Sequence, residues 1–214
     1  MLTEQTVMEP GEIENRSFAI IDAEVPEPRP YQGNEWLVVR RMIHTSADFE
    51  LLSLVRFHRE AVRSGVEALR RGSLIVTDTE MARAGITARR MERLGVRVEC
   101  FINHPVVREK TLSEKTTRSA AAVDHALLSL DGNICVVGNA PTALLRLLSW
   151  VEKGECRPAL IVGMPVGFVN AAESKDLLMA QQEIPYISIQ GRKGGSSLAA
   201  AVINQLAEIA LRGK

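Results

Sequence analysis

The chain has no excess of charge: among its 214 residues, 26 Lys and Arg balance 26 Asp and Glu. That excludes a global basic field for nucleic acid, although local Arg clusters can still hold a polyanion. Cysteine is scarce. Cys100, Cys135 and Cys156 are odd in number, and no two have CxxC spacing, which argues against a disulfide framework. Cys100 and Cys135 lie within or beside apolar strand candidates, so reduced, buried thiols of a cytoplasmic protein are expected. No apolar run approaches the roughly 20 residues of a membrane span. Met1-Leu2-Thr3-Glu4-Gln5 has neither a basic flank nor an apolar core, so no signal peptide is expected. No repeat of solenoid length and no low-complexity tract occur.

The common catalytic signatures are missing too. Gly191-Arg192-Lys193-Gly194-Gly195-Ser196-Ser197 places its lysine too early for a Walker A loop. No GxGxxG follows the first strand candidate, and no GxSxG elbow occurs. His44, His58, His104 and His125 show no HExxH or other ligand spacing, so no protein-bound metal is expected. Cys100 has no evident His partner and reads as a packed thiol.

What is present is ordinary for a globular chain: 46% hydrophobic and 24% charged residues. One domain spanning 1–214 is expected, with a large core. After Glu9-Pro10-Gly11, read as a turn, the pattern predicts a helix from Glu12 to Ala23. Val25-Pro26-Glu27-Pro28-Arg29-Pro30 must run extended. Leu51 to Phe57 is expected as a short edge strand, and His58 to Arg71 as an amphipathic helix ended by Gly72.

From Ser73 onward short apolar runs alternate with helical segments. Strands are expected at Ser73 to Thr77, Val96 to Phe101, Asn133 to Val137, Ala159 to Val162 and Tyr186 to Ile189. Alternation of this kind predicts an α/β fold: a mostly parallel, doubly wound sheet with helices on both faces. Ligands of such sheets bind beyond the C-terminal strand ends. Four polar or Gly-rich segments fall there: Thr77-Asp78-Thr79, Gly138 to Thr142, Gly163 to Gly167, and Arg192 to Ser197. Several open a helix, whose free N–H groups attract carboxylates or phosphates.

One stretch stands out, Leu37-Val38-Val39-Arg40-Arg41-Met42-Ile43-His44-Thr45. Asn34 is a candidate N-cap, and the run from Glu35 lacks Gly and Pro, predicting a helix of about three turns. Arg40 and Arg41 fall one turn before His44, while Trp36, Val39 and Ile43 form an adjacent apolar side. A histidine at a helix end is more often structural. The functional reading makes His44 a proton donor beside guanidinium groups, in a site for a large, multiply carboxylated, partly apolar ligand. Ser17, in mid-helix, is ordinarily back-bonded or solvated.

Six segments carry a family resemblance: Arg16-Ser17-Phe18-Ala19-Ile20-Ile21, Arg41-Met42-Ile43-His44, Gly138 to Leu144, Gly163 to Val169, Ala171-Ala172-Glu173-Ser174-Lys175 and Gly191 to Ser196. Together they resemble the precorrin-8X methylmutase family of cobalamin biosynthesis, over almost the whole chain from about Gly11 to the last helix. The resemblance implies an α/β homodimeric isomerase. It would move a methyl group from C11 to C12 on ring C of the corrinoid tetrapyrrole precorrin-8X, or of its cobalt-containing form. It implies His44 as the catalytic residue and Ser17 and Arg41 as substrate contacts. Arg118 and the Gly194-Gly195 turn match further family motifs. Such a shift needs no cofactor, only a polarised π-system and a held substrate. Hand-over to neighbouring enzymes of the pathway is a further expectation. The alternative class is a non-catalytic corrinoid carrier using the same anion cradle; a nucleotide-dependent α/β enzyme is a third.

Overall fold

The computed structural model describes residues 10–212. Met1 to Gln5 lie outside them, as does Glu9 of the expected first turn. Helix α1 (Pro10–Glu24) already begins at Pro10, a residue suited to a first helical turn. Next come α2 (Gly33–Ser46), a single helical turn α3 (Leu51–Leu54), β1 (Val55–Phe57) and α4 (Ala61–Arg70). The expected edge strand at Leu51 to Phe57 is therefore half right. Its first half closes a turn, with the Ser53 hydroxyl donating to the Glu50 carbonyl; only Val55 to Phe57 pair with the sheet.

The remaining elements are β2 (Ile75–Thr77), α5 (Glu80–Gly85), α6 (Ala88–Leu94), β3 (Val98–Cys100), α7 (Pro105–Ser113), α8 (Arg118–Leu130), β4 (Ile134–Val137), α9 (Pro141–Glu152), β5 (Leu160–Gly163), α10 (Ala171–Ala180), β6 (Tyr186–Ile189) and α11 (Ser196–Leu211). Every expected strand is present. The short helices α5 and α7 are additions to the pattern read from sequence. Thr79 opens α5 by accepting the Ala82 N–H on its side chain, and Pro105 sits in the first turn of α7.

The six strands lie in the order β1-β6-β5-β4-β2-β3; β1 alone is antiparallel. Strand residues alternate between two cores, as a doubly covered sheet requires. Ile75, Ile134, Val136, Leu160 and Val162 join the core that holds α2, α4 and α11. Val76, Cys135, Val137 and Ile161 join the core that holds α8, α9 and Leu178 of α10. The connection from β2 to β3 runs over the first face, since Met91 and Leu94 belong to its core. From β3 to β4 the chain crosses by α8 on the second face and lands on the other side of β2. Strand order thus reverses between β2 and β4, where open α/β sheets have their crevice.

At that crevice the chain supplies an anion of its own. Buried Asp78, directly after β2, accepts the backbone N–H groups of Gly138, Asn139 and Ala140 at 2.9, 2.8 and 2.8 Å. The segment expected to cradle a ligand anion at the head of α9 is thus filled by an internal carboxylate. Burial pushes the Asp78 carboxyl above its ordinary range, against the opposing pull of those three N–H groups. Replacing Asp78 with Asn leaves at least one buried N–H without its acceptor. The expected loss is about 1–3 kcal/mol of unfolding free energy, measured by urea denaturation; an unchanged midpoint would show that the carboxylate does not hold the turn.

Candidate functional site

Helix α2 carries the candidate proton donor. Its N-cap is Gln32, with no side-chain cap bond, so Asn34 does not cap it as expected: the helix starts two residues earlier than expected, at Gly33. Trp36, Val39 and Ile43 are buried, as the spacing predicts, together with Val38 and Met42. The helix stops where Ala47 enters the left-handed region at φ 53° and donates its N–H to the Ile43 carbonyl at 2.7 Å. His44 lies in this last turn, half-buried. Its ring meets that of Phe18 on α1, with centroids 5.1 Å apart and planes tilted by 57°. Among the described residues the imidazole makes no side-chain hydrogen bond, which leaves its nitrogens open to a ligand.

Phe18 gathers the cations as well. The guanidinium carbons of Arg40 and Arg41 stand 4.4 and 4.9 Å from its ring centroid. Arg41 is buried, and each of its three guanidinium nitrogens has a partner. It pairs with Glu14 of α1 and with Glu208 of α11, and its Nε donates to Gln205 at 3.0 Å. Of its two acidic partners the Glu14 side chain is the more exposed, so a carboxylate approaching Arg41 would compete with Glu14 first. Arg40 pairs with Asp22, yet its Nε is the one buried side-chain donor or acceptor among the described residues with no partner. Arg40 lies four residues before His44 and so on the same face. Its open donor depends on side-chain packing that a sequence does not show.

The other expected site residues divide into engaged and open groups. The Ser17 hydroxyl donates to the Ile13 carbonyl at 2.9 Å, the back-bonded arrangement usual in mid-helix, and keeps its acceptor capacity. Arg118 is exposed at the head of α8. Thr117, just before it, accepts the Ala120 N–H and donates to the Thr142 hydroxyl at 3.0 Å, which sets Arg118 beside the head of α9. No described contact links Arg118 to His44; they belong to helices on opposite faces of the sheet.

Gly194 and Gly195 form a strap between β6 and α11. The Gly195 N–H donates to the Met164 carbonyl at 2.9 Å, so it is not a free donor. Gly195 has φ 130°, a conformation that favours glycine, and a Cβ on Gly194 would collide with the Met164 carbonyl oxygen. Lys193, just before the glycines, pairs with Asp48 and Glu50 of the turn after α2, each at 2.6 Å. This ties the strap to the segment that follows His44. The Lys193 hydrogen bond holds the Asp48 carboxyl below its ordinary range.

The cysteines offer no nucleophile. Burial pushes the Cys135 thiol up, and Cys156 is pushed up to about 11 by the same cause. Among the described residues no group of three or more His, Cys, Asp or Glu could hold a metal ion. No helix of the described residues is long and apolar enough to cross a membrane.

A reversed strand order with helices packed on both faces defines a doubly wound α/β protein. Comparison with known proteins makes this specific. The family described as precorrin-8X methylmutase matches residues 12–209. The cobalt-precorrin-8 methylmutase of Priestia megaterium is 39% identical over 95% of this chain and 89% of its own length. The precorrin-8X methylmutase of Pseudomonas aeruginosa is 41% identical over 91% of this chain and 93% of its own. A crystal structure of the precorrin-8X methylmutase from Thermus thermophilus aligns with a TM-score of 0.88 and 44% identity, covering 94% of this chain and 97% of that one. The chain belongs to the precorrin-8X methylmutase family.

Substituting Gly194 with Ala forces a backbone shift against Met164. It is expected to cost roughly 1–3 kcal/mol, read as a lowered melting temperature; an unshifted melting temperature would mean that the strap has slack.

Proposed function

We propose that this chain moves a methyl group from C11 to C12 on ring C of precorrin-8X, or of cobalt-precorrin-8, with His44 as the general acid. Family membership supplies the class: an isomerase, a methylmutase of cobalamin biosynthesis. The observation that carries the His44 role is the open imidazole, packed against Phe18 and without a competing hydrogen bond among the described residues.

A methyl shift around a conjugated macrocycle makes and breaks one carbon–carbon bond within a single molecule. The barrier falls when the π-system is polarised and the ring is held in place. A proton delivered to a ring nitrogen polarises it, and imidazole is the side chain whose ordinary titration lies nearest neutrality. In this reading Arg41 takes a peripheral carboxylate in exchange for Glu14, Ser17 offers an acceptor, and Arg118 meets a second carboxylate across the rim. The Gly194-Gly195 strap lets the macrocycle approach the backbone closely.

The three unpaired cysteines favour a cytoplasmic setting. The family resemblance supports a homodimer, with the whole chain, 1–214, working as one domain. Product hand-over to a neighbouring enzyme of the pathway belongs to the same proposal. The carrier alternative has no support, since the relatives are named as methylmutases.

His44→Ala is expected to lower turnover by about 10²–10⁴-fold, followed by the change in visible spectrum from substrate to product; near-normal turnover in a folded variant would remove His44 from the mechanism. Arg41→Lys keeps the charge but loses the planar fork. Its affinity for the product, measured by titration, is expected to fall about tenfold, the order of one charge-assisted hydrogen bond. Unchanged affinity would return Arg41 to a purely structural role between α1, α2 and α11.

A further inference from the structure

Lys175 is the largest of the fully buried side chains, at 0% exposure, on the inner face of α10. Its buried neighbours on that helix, Ala171, Ser174 and Leu178, are small or apolar. Among the described residues no carboxylate lies within ion-pair distance of it. Burial pulls its ammonium down to about 8, with Asp176 a weaker opposing influence. A buried, unpaired ammonium opposes folding, and an apolar side chain of the same length would pack there at lower cost. The hydrogen bond that offsets part of this cost runs from Nζ to the carbonyl oxygen of Lys193, at 2.6 Å.

Lys193 is therefore held from both ends. Its carbonyl is drawn inward by Lys175, while its own ammonium reaches outward to Asp48 and Glu50. Two more bonds fix the same strap to the β5–α10 loop: Gly167 N–H to the Arg192 carbonyl, and Gly195 N–H to the Met164 carbonyl. The strap has little freedom left, and it joins α10 to the turn that follows His44.

We propose that Lys175 is a positioning residue for the substrate site, acting through the Lys193 carbonyl to hold the Gly191 to Gly195 strap at a fixed distance from the His44 end of α2. This rests on reading the strap and His44 as the place where the corrinoid binds. Lys175 touches neither ligand nor reacting atoms; its effect passes through the backbone of its neighbour.

The test combines Lys175→Met, which keeps length and loses the donor, with Asp48→Asn, which weakens the outer attachment. Each is measured for melting temperature, for KM and kcat, and for affinity toward the corrin product by absorbance titration. Lys175→Met is expected to melt at or above the wild-type temperature, to raise KM and the product Kd at least tenfold, and to change kcat less than threefold. Asp48→Asn is expected to raise KM at least threefold. The double variant is expected to be no worse than Lys175→Met alone, because both attachments serve one strap. Unchanged KM and Kd in a folded Lys175→Met variant would overturn the proposal, as would strictly multiplicative effects in the double variant. If Lys175→Met does not fold, Asp48→Asn decides: an unchanged KM would sink the idea, and a raised KM at constant melting temperature would sustain it. The titration separates this from the functional reading. A wild-type protein that binds no corrin would fail that reading, whereas equal binding by wild type and Lys175→Met would fail the positioning role alone.

Discussion

Three backbone N–H groups converging on one internal carboxylate set the geometry from which the rest of the rim follows. Asp78 leaves β2, bonds Gly138, Asn139 and Ala140, and so fixes where β4 gives way to α9. The Met164 N–H then reaches back to the Val137 carbonyl, and the Met164 carbonyl receives Gly195. The Thr79 hydroxyl meets that of Ser196 at 2.9 Å. The loops after β2, β4, β5 and β6 are thus bonded to one another. In many doubly wound proteins the crevice between reversed strands is left open for a ligand. Here an internal carboxylate takes up the free N–H groups at the head of α9, and open polar groups lie on α2 and at the head of α8.

On the proposed reading the site draws on helices as well as on the strand-end strap at Gly194 and Gly195. His44, Arg40 and Arg41 present themselves from α2, backed by Phe18 of α1, and Arg118 from α8. If those residues act together, a surface distributed over both layers would suit a broad, flat ligand with charged groups at its edge.

The architecture was legible because the central strands are short, β-branched and bounded by polar turns. A strand buried on both faces leaves that pattern whatever its neighbours are. The helix bearing His44 was equally plain from its apolar spacing. Short elements escaped, because their signals are single residues. Thr79 opens a helix, but it reads as part of the polar segment that ends a strand. Leu51 to Leu54 shares its composition with a strand and forms a turn for tertiary reasons. The state of the site was hidden for a different reason. Nothing near Arg41 in sequence announces Glu208 or Gln205, and nothing near Gly138 announces Asp78. Lys175 sits between Ser174 and Asp176, a context that reads as solvated surface, although it is completely enclosed.

Helix α2 and helix α11 lie together in space and far apart in the chain. Arg41 and Glu208 are 167 residues apart, and Asp48 and Lys193 are 145 apart. Contacts of such long sequence separation form late, because most of the chain must be ordered before they repay the entropy of closing so large a loop. During synthesis α1 and α2 can pair Arg40 with Asp22 and Arg41 with Glu14 early, but the remaining partners of Arg41, Gln205 and Glu208, leave the ribosome with the last helix. A chain lacking that helix loses two of the three side chains that hold Arg41, together with the apolar stripe that covers one face of the sheet, so the surroundings of His44 are completed by the last residues made.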